Sequence, residues 1–400
     1  MTTAYTNATI IPVEGATVEN GTLVVENGLI KELGDDIDTT DMEVVDCENK
    51  FIIPGLIDAH SHVGLFEEGR TGGSDGNEAT SPITPYLRSM DAIFTEDEGF
   101  NDARKGGVTT LGITPGSANL IGGQFCVIKA IPGTQIISDM LIREPAGVKM
   151  ALGENPRRVY KNKNKAPSTR MANAHLIREA FYKAIDYRTK WREYESKLEN
   201  EQSKSEEERN VISQPEFDMA NEILVKILAG TIPVMNHCHR ADDIVTAVRL
   251  SEEFGYKLVV HHATESHKIA DYLVDRDIPV VVGPLMTSRS KAELRDRTVS
   301  TPGIMMDAGA LVCITNDAPV IPIWMLRESM ILAIREGLDP TRALETITIN
   351  PAKILGVDNH VGSLLPGKDA DFLILNGDPL DASSSVEKTY INGDIVFNRN

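Results

Sequence analysis

The sequence predicts an α/β protein, a (β/α)8 TIM barrel with a small composite β-sandwich domain formed from both termini. Three observations lead to this prediction. The middle of the chain alternates apolar runs with helical patterns, the two ends share a texture of short β-prone runs and turns, and several apolar runs stop at histidine or aspartate. Continuous apolar strands between helices are typical of a parallel sheet covered by helices, and polar side chains at strand ends are typical of a barrel's active face.

The chain ends, residues 1–54 and 360–400, predict the small β-domain. The runs "GTLVVENGLIKELG" and "VEKTYINGDIVF" each contain an Asn-Gly pair between apolar residues, beginning at Asn27 and Asn392. Asn-Gly readily takes the positive φ that tight hairpin turns require. We therefore expect hairpins from each terminus to build one domain.

Apolar runs within residues 55–359 predict the barrel strands. The runs "GVTTLGIT", "GVKMALG", "IPVMNH", "YKLVVHH", "IPVVVG" and "GALVCITND" have strand length and are rich in Val, Ile and Leu. Helical patterns such as "ADDIVTAVRLSEEFG" lie between several of them. The Gly-rich segment 116–130, "GSANLIGGQFCVIKA", lacks the residues of a phosphate loop. It is predicted to be a loop on the barrel face.

Residues from about 156 to 215 interrupt the alternation. Here a long helical pattern carries Glu and Lys or Arg at helical spacing and fades into a polar stretch. This spacing supports an exposed helix. The plain interpretation is a solvated helical insertion. The alternative is a lid or an oligomer contact, because long insertions between barrel elements often carry function.

The charge balance limits the classes of partner. Forty basic against 59 acidic residues give a net charge of −19, which argues against nucleic acid and anionic membranes as partners. The start lacks a basic region followed by an apolar run, no stretch approaches about 18 apolar residues, and the four cysteines are scattered. We expect a cytoplasmic protein that binds a small molecule, with homo-oligomerisation left open.

Six of the nine histidines lie in three short segments. Several apolar runs end in metal-capable side chains, which are His60 and His62, then His237, then His261 and His262, and finally Asp317. Two histidines spaced by two on a strand point to the same side and are suited to bind one metal ion. One such pair is weak evidence, but the agreement of four strand ends predicts a metal centre.

These motifs resemble the metal-dependent amidohydrolase superfamily, and within it the imidazolonepropionase- and dipeptidase-like branch. The resemblance rests on "PGLIDAHSH", on "GVTT", on a histidine after each of two later strands, on "TND", and on the C-terminal "GSLLPGKDADFLIL". It covers nearly the whole chain outside 156–215. It implies a barrel with a composite sandwich and a metal-dependent hydrolase that cleaves a C–N bond.

The resemblance also implies a ligand set and a metal. The expected ligands are His60 and His62 on the first strand, His237 on the fifth, His262 on the sixth and Asp317 on the last. His262 is chosen over its neighbour because related chains have Glu-His-Gly at this place. Asp317 is expected to exchange a proton with the attacking water, and His262 is the second catalytic residue. One or two divalent ions are implied, with Zn²⁺ expected and Mn²⁺ or Fe²⁺ as alternatives.

A further bridging ligand is expected from "GVKMALGENP". Glu154 lies past the end of the strand, where a carboxylate reaches a metal unmodified, and it is the preferred choice. Lys149 lies inside the strand and is the alternative if it is carboxylated. If neither binds, the site holds one metal. His239 and Arg240 follow His237 at the barrel mouth and are expected to face the substrate, against the plain interpretation of an ordinary loop.

The resemblance implies hydrolysis of an amide, with a cyclic amide, a dipeptide or an N-acyl amino acid as the expected substrate. A deaminase of a heterocyclic base is the alternative. Deaminases of the superfamily generally add a glutamate near the fifth-strand ligand, whereas "NHCHRADD" contains none. A non-catalytic binding protein on the same fold is a third hypothesis, which the retained ligand set disfavours.

Overall fold

The computed structural model describes residues 2–69 and 74–399 and divides their strands between two eight-stranded sheets. The N-terminal strands open the smaller sheet: β1 (Thr2–Ile10), β2 (Val18–Glu26), β3 (Leu29–Gly34), β4 (Glu43–Asp46) and β5 (Phe51–Pro54). Asn27 has a φ of 53° between β2 and β3, so the first predicted hairpin turn is confirmed.

The barrel sheet follows in chain order and contains β6 (Leu56–Ser61), β7 (Val108–Ile113), β8 (Ile121–Lys129), β9 (Leu141–Ala151), β10 (Val234–Cys238), β11 (Leu258–His262), β12 (Val280–Val282) and β13 (Val312–Ile314). All neighbours are parallel except β8, which runs antiparallel to β7 and to β9. The prediction of a loop over 116–130 was therefore wrong for 121–129. That stretch is a strand whose residues are all buried.

The first and last barrel strands are held together by side chains. The Oδ1 atom of Asp58 on β6 accepts a hydrogen bond of 2.6 Å from Thr315, and its Oδ2 atom accepts one of 3.1 Å from the backbone N–H of Asn316. These bonds bring the carboxyl ends of β6 and β13 together. The histidines of the first strand thus lie beside the aspartate that follows the last one.

The described residues form ten α-helices: α1 (Glu98–Lys105), α2 (Ile137–Met140), α3 (Glu154–Lys161), α4 (Arg170–Gln202), α5 (Met219–Leu228), α6 (Ala241–Phe254), α7 (Ala270–Val274), α8 (Thr301–Asp307), α9 (Leu326–Arg335) and α10 (Ile349–Leu355). The stretch predicted as a solvated insertion contains α4. Ile177, Phe181 and Tyr187 in this helix are buried, and Phe181 stacks on Phe254 of α6. Only the later turns of α4 are mainly exposed, so the expectation of a solvated helix holds for part of its length.

The C-terminal strands β14 (Phe372–Leu375), β15 (Val386–Ile391) and β16 (Asp394–Asn398) complete the smaller sheet, where β14 pairs with β5. Asn392 has a φ of 52° between β15 and β16, so the second predicted hairpin is confirmed. Tyr5, Phe372 and Tyr390 form an aromatic cluster in the core of this domain. The small sandwich is thus composite, as predicted.

A buried lysine joins the two domains. The Nζ atom of Lys129 on β8 lies 2.7 Å from Asp369, 2.9 Å from Asp371 and 2.5 Å from the side-chain oxygen of Asn392. These bonds fix the C-terminal strands against the barrel. In the described part of the chain, no helix is both long enough and apolar enough to cross a membrane.

Candidate metal centre

Five of the predicted site residues line a cavity of about 250 Å³ at the carboxyl ends of the barrel strands. Titratable side chains form much of its wall: His60, His62, His237, His262, Lys291 and Asp317. Nonionic residues complete it: Phe66, Asn77, Gly116, Ser117, Pro319 and Val320. The residues around Gly116 therefore lie on the site face, as predicted for the start of the 116–130 segment.

His60 on β6 and His62, which directly follows this strand, are oriented by different partners. His62 uses Nδ1 to contact the backbone oxygen of Thr114 at 2.6 Å, which leaves Nε2 directed elsewhere. The Nδ1 atom of His60 lies 2.7 Å from Nδ1 of His261, so one ring donates a proton and the other accepts. His261, which directly precedes His262 in the sequence, therefore orients the ring of His60.

Asp317 lies against both of these histidines. Its Oδ1 atom is 3.2 Å from Nε2 of His62 and 3.4 Å from Nε2 of His60. The residue has a φ of 53°, in the left-handed region that non-glycine residues rarely adopt, and its N–H donates to Oγ1 of Thr315. Backbone strain of this kind is typical of functional positions.

His262 is fixed in a similar way to His62. Its Nδ1 atom lies 3.0 Å from the backbone oxygen of Gly283, and its own φ is 68°. Residue 283 must be glycine, because the Cβ of any other residue at this position would collide with the backbone oxygen of Thr315. With Nδ1 engaged, Nε2 is the nitrogen that His262 offers to a ligand.

His237 and His239 lie together with His262. The ring centroids of His237 and His239 are 4.6 Å apart, and those of His237 and His262 are 4.4 Å apart. Nδ1 of His239 contacts Thr264 at 2.8 Å, while its buried Nε2 has no hydrogen-bond partner among the described residues. Nδ1 of His237 is likewise without a partner, and its Nε2 lies 3.4 Å from Asn155. The structure thus places His239 among potential ligands, whereas the sequence predicted a substrate contact.

The two candidates for the bridging ligand are placed differently. Lys149 is 1% exposed and its Nζ atom lies 3.1 Å from Nε2 of His60. Burial lowers the pKa of this amine to about 7, although Asp317 opposes the shift. Glu154 begins helix α3, and its backbone N–H donates to Glu293. In the described part of the chain, Glu154 belongs to neither cluster of three convergent ligand atoms.

The electrostatics of the cluster fit a cation. Burial, as the main cause, lowers the pKa of His60, His237 and His262 well below the usual value for histidine. These three rings are therefore neutral. Nδ1 of His62 is engaged by the backbone oxygen of Thr114, and its Nε2 lies 3.2 Å from Oδ1 of Asp317. An imidazole nitrogen and a carboxylate oxygen thus lie side by side at the cavity, and both are atoms that bind divalent cations. The donor set of imidazole nitrogens and a carboxylate therefore fits a divalent metal ion.

The predicted substrate residue Arg240 lies outside this cavity. Its guanidinium makes two 2.8 Å bonds to Asp242 and its side chain is 44% exposed. In contrast, the sequence interpretation did not identify Lys291, which reaches the cavity wall, or Asn155, which contacts His237. Lys291 lies in a charged run, "SRSKAELRDR", that gives it no distinguishing signal.

Comparisons with known proteins agree with the fold. Residues 51–396 match the amidohydrolase family. A solved amidohydrolase from Thermotoga maritima MSB8 is 42% identical, with a TM-score of 0.90 over 99% of this chain and 100% of that one. The likeness confirms the predicted barrel and sandwich.

Two curated relatives align with this chain over only part of their own length. Amidohydrolase tasK of Hapsidospora irregularis is 29% identical over 399 residues, which are 94% of this chain and 40% of tasK. A 63-residue stretch is 46% identical to adenine deaminase 1 of Carboxydothermus hydrogenoformans, covering 16% of this chain and 10% of that protein. The chain spans less than half the length of either relative. Because the family match covers most of the sequence, the chain belongs to the amidohydrolase family.

Proposed function

We propose that the protein is a metal-dependent hydrolase that cleaves a C–N amide bond with an activated water. One observation carries the proposal. Nε2 of His62 lies 3.2 Å from Oδ1 of Asp317 while Nδ1 of the same ring is engaged by Thr114. This arrangement brings an imidazole nitrogen and a carboxylate together in a cavity at the carboxyl ends of the barrel strands.

The proposed ligands come from five strands. They are His60, His62, Lys149, His237, His262 and Asp317. Lys149 replaces Glu154 as the proposed bridging group, because its buried side chain already reaches His60. An unmodified lysine is a poor partner for a cation, so the proposal includes carboxylation of the amine. His239 is a further candidate ligand, and Zn²⁺, Mn²⁺ or Fe²⁺ suits these donors.

When bound, a divalent ion lowers the pKa of a coordinated water to about 7 and polarises a carbonyl oxygen. The side chains of the protein supply the proton transfers. Asp317 accepts the proton of the attacking water, and the same carboxyl group returns a proton to the departing nitrogen. The hydrogen bonds to Thr114 and Gly283 hold His62 and His262 in one orientation, so less reorganisation is needed during the reaction.

Deamination of a heterocyclic base is the second candidate. The 63-residue resemblance to an adenine deaminase favours it. Among the described residues that line the cavity, however, Asp317 is the only carboxylate. No glutamate is present there for a separate proton transfer to a ring. The amide hydrolase is therefore the preferred proposal over the deaminase.

A substrate screen tests the proposal. The protein is supplied with Zn²⁺ or Mn²⁺ and assayed against dipeptides, N-acyl amino acids, cyclic amides and purine or pyrimidine bases. Hydrolysis of members of the first three classes, with new amine and carboxylate products, is the expected result. Ammonia release from a base without amide hydrolysis would establish the deaminase instead.

A further inference from the structure

Lys291 is a cation at the metal centre without an assigned partner. It lies between strand β12 and helix α8 and lines the cavity together with His262 and Asp317. Burial lowers the pKa of its amine, while the charges of Asp317 and Glu293 oppose that shift. Within residues 2–69 and 74–399, its ammonium group makes no hydrogen bond or ion pair.

Two basic side chains close to Lys291 have acidic partners. In the adjoining groove, the Nζ atom of Lys268 lies 2.7 Å from Asp296 and also pairs with Glu265. Arg295 pairs with Asp296 as well, at 3.1 Å. These cations are neutralised by neighbours on the protein surface. Among the described residues that line the cavity, Lys291 is the basic side chain whose charge is left for another group.

Glu293, two residues after Lys291, fixes the loop that carries this lysine. Oε1 of Glu293 accepts hydrogen bonds from Nη2 of Arg170 at 3.0 Å and from the backbone N–H of Glu154 at 2.5 Å. Gly153 has a φ of +88°, and a Cβ at this position would collide with Glu293. The glycine thus allows the close approach on which this arrangement depends.

Arg170 contacts helix α6 as well as Glu293. Its Nε atom lies 2.9 and 3.0 Å from the two oxygens of Asp243. The first residue of the long helix α4 therefore anchors the loop beside the metal centre. A fixed loop loses less conformational entropy when Lys291 binds a ligand, which favours recognition.

We propose that Lys291 binds a carboxylate group of the substrate and so selects N-acyl amino acids or dipeptides with a free carboxylate over neutral amides. The inference rests on the proposed hydrolase function and names its substrate class. A half-buried ammonium without an ion pair is stabilised when an anion enters and forms a charge-assisted hydrogen bond. The net charge of −19 gives no general attraction for anions, so a local cation is needed to bind one.

Pairs of substrates that differ only in charge test this assignment. A panel of N-acetyl amino acids is compared with the corresponding N-acetyl amino acid amides, which contain the same acetyl C–N bond. The variants are Lys291→Met, which removes the charge, and Lys291→Arg, which retains it. Lys268→Met serves as the control, because it removes one positive charge from the adjoining groove.

We expect Lys291→Met to lower kcat/KM for the carboxylates by about 10- to 100-fold, the usual effect of losing a hydrogen bond to a charged group. The uncharged amides should change by less than about threefold, which is within the scatter of surface substitutions. Lys291→Arg should recover part of the loss, and Lys268→Met should match the wild type. Equal losses on both substrate types, no loss on the carboxylates, or a wild-type enzyme without preference for carboxylates would overturn the assignment.

Binding measurements separate this inference from the hydrolase proposal. The same N-acetyl amino acids are titrated into metal-loaded protein by calorimetry, without reliance on turnover. If no compound is hydrolysed but carboxylate binding weakens in Lys291→Met and amide binding does not, the hydrolase proposal fails and the Lys291 site stands. If the wild type binds no member of the panel, or if binding is independent of Lys291, the site is wrong. Circular dichroism confirms that each variant is folded.

Discussion

The Nζ atom of Lys149 lies 3.1 Å from Nε2 of His60, and Oδ1 of Asp317 lies 3.4 Å from the same imidazole nitrogen. Side chains from the first, fourth and eighth barrel strands thus meet at one buried atom. Glu154 is only five residues further along, but it has already entered helix α3. This difference in position makes Lys149 the better candidate for the bridging ligand of the proposed metal centre.

Replacement of Lys149 tests this choice. Lys149→Met is expected to reduce the metal content per chain, because it removes the proposed bridging ligand. We also expect it to lower kcat by at least about 100-fold, where each tenfold change in rate corresponds to about 1.4 kcal/mol. Metal analysis and steady-state kinetics measure the two effects. Glu154→Gln is the matched control and should retain the wild-type metal content. The reverse pattern, in which Glu154→Gln loses metal and Lys149→Met does not, would return the role to the glutamate.

Asp317→Asn is expected to leave the fold intact and to lower kcat by about 10²- to 10⁴-fold, the range associated with a general acid–base group. The amide is similar in size to the carboxylate but accepts no proton at neutral pH. Circular dichroism reports the fold, and turnover of a substrate found in the screen reports the rate. Near-wild-type turnover would rule out the proton-transfer role of Asp317.

The domain contact at Lys129 predicts a loss of stability. Lys129→Met leaves the carboxylates of Asp369 and Asp371 without their buried cation, and we expect about 3–5 kcal/mol lower free energy of unfolding. Lys31→Met removes an equal charge from an exposed ion pair with Glu26 and should cost less than about 1 kcal/mol. Urea unfolding measures both, and equal effects would show that the Lys129 contacts contribute little.

The loss of stability in Lys129→Met is predicted to depend on pH. Burial raises the pKa of Asp371, and Lys129 opposes that shift. Without the lysine the pKa rises further, so the folded protein binds the proton more tightly than the unfolded chain does. The stability deficit of Lys129→Met should therefore become smaller as the pH falls from 7 toward 5. A deficit that is constant over this range would contradict the explanation.

Glu293 predicts a second pH effect. Burial, together with Glu154 and Asp243, raises the pKa of Glu293 to about 7, while Arg170 opposes the shift and Lys291 adds a nearby positive charge. Because the folded pKa exceeds the unfolded value of about 4.3, the stabilisation is complete below that value. It is lost as the pH rises through about 7.

The test for Glu293 compares the wild type with Glu293→Gln, which does not titrate. Relative to this variant, the wild type should lose up to about 3 kcal/mol of unfolding free energy between pH 4.5 and 8. Chemical unfolding at a series of pH values measures the difference. Parallel stability curves for the two proteins would show that the pKa of Glu293 is not raised in the folded state.

The strand-end pattern was sufficient to predict the fold, and it is the basis of the proposed metal centre. Apolar runs ending in histidine or aspartate, such as those before His60 and Asp317, indicate carboxyl ends of barrel strands, where the structure brings them together. The antiparallel strand β8 was missed because all its residues are buried. It therefore lacks the alternation of a half-exposed strand, and its glycines suggested a loop.

The contacts of individual side chains could not be predicted in the same way. "GVKMALGENP" contains both Lys149 and Glu154, and only the distance to His60 separates them. Arg240 is next to the cluster in sequence, but Asp242 holds its guanidinium. The apolar positions of α4, such as Ile177 and Phe181, were present in the sequence but were obscured by the surrounding charges.

Metal analysis tests the central claim most directly. Protein purified without chelator is expected to contain one or two divalent ions per chain. Removal of the metal should abolish amide hydrolysis, and addition of Zn²⁺ or Mn²⁺ should restore it. Protein that contains no divalent metal, that cannot be reconstituted with any of these ions, and that hydrolyses no amide would contradict the proposed metal-dependent hydrolase.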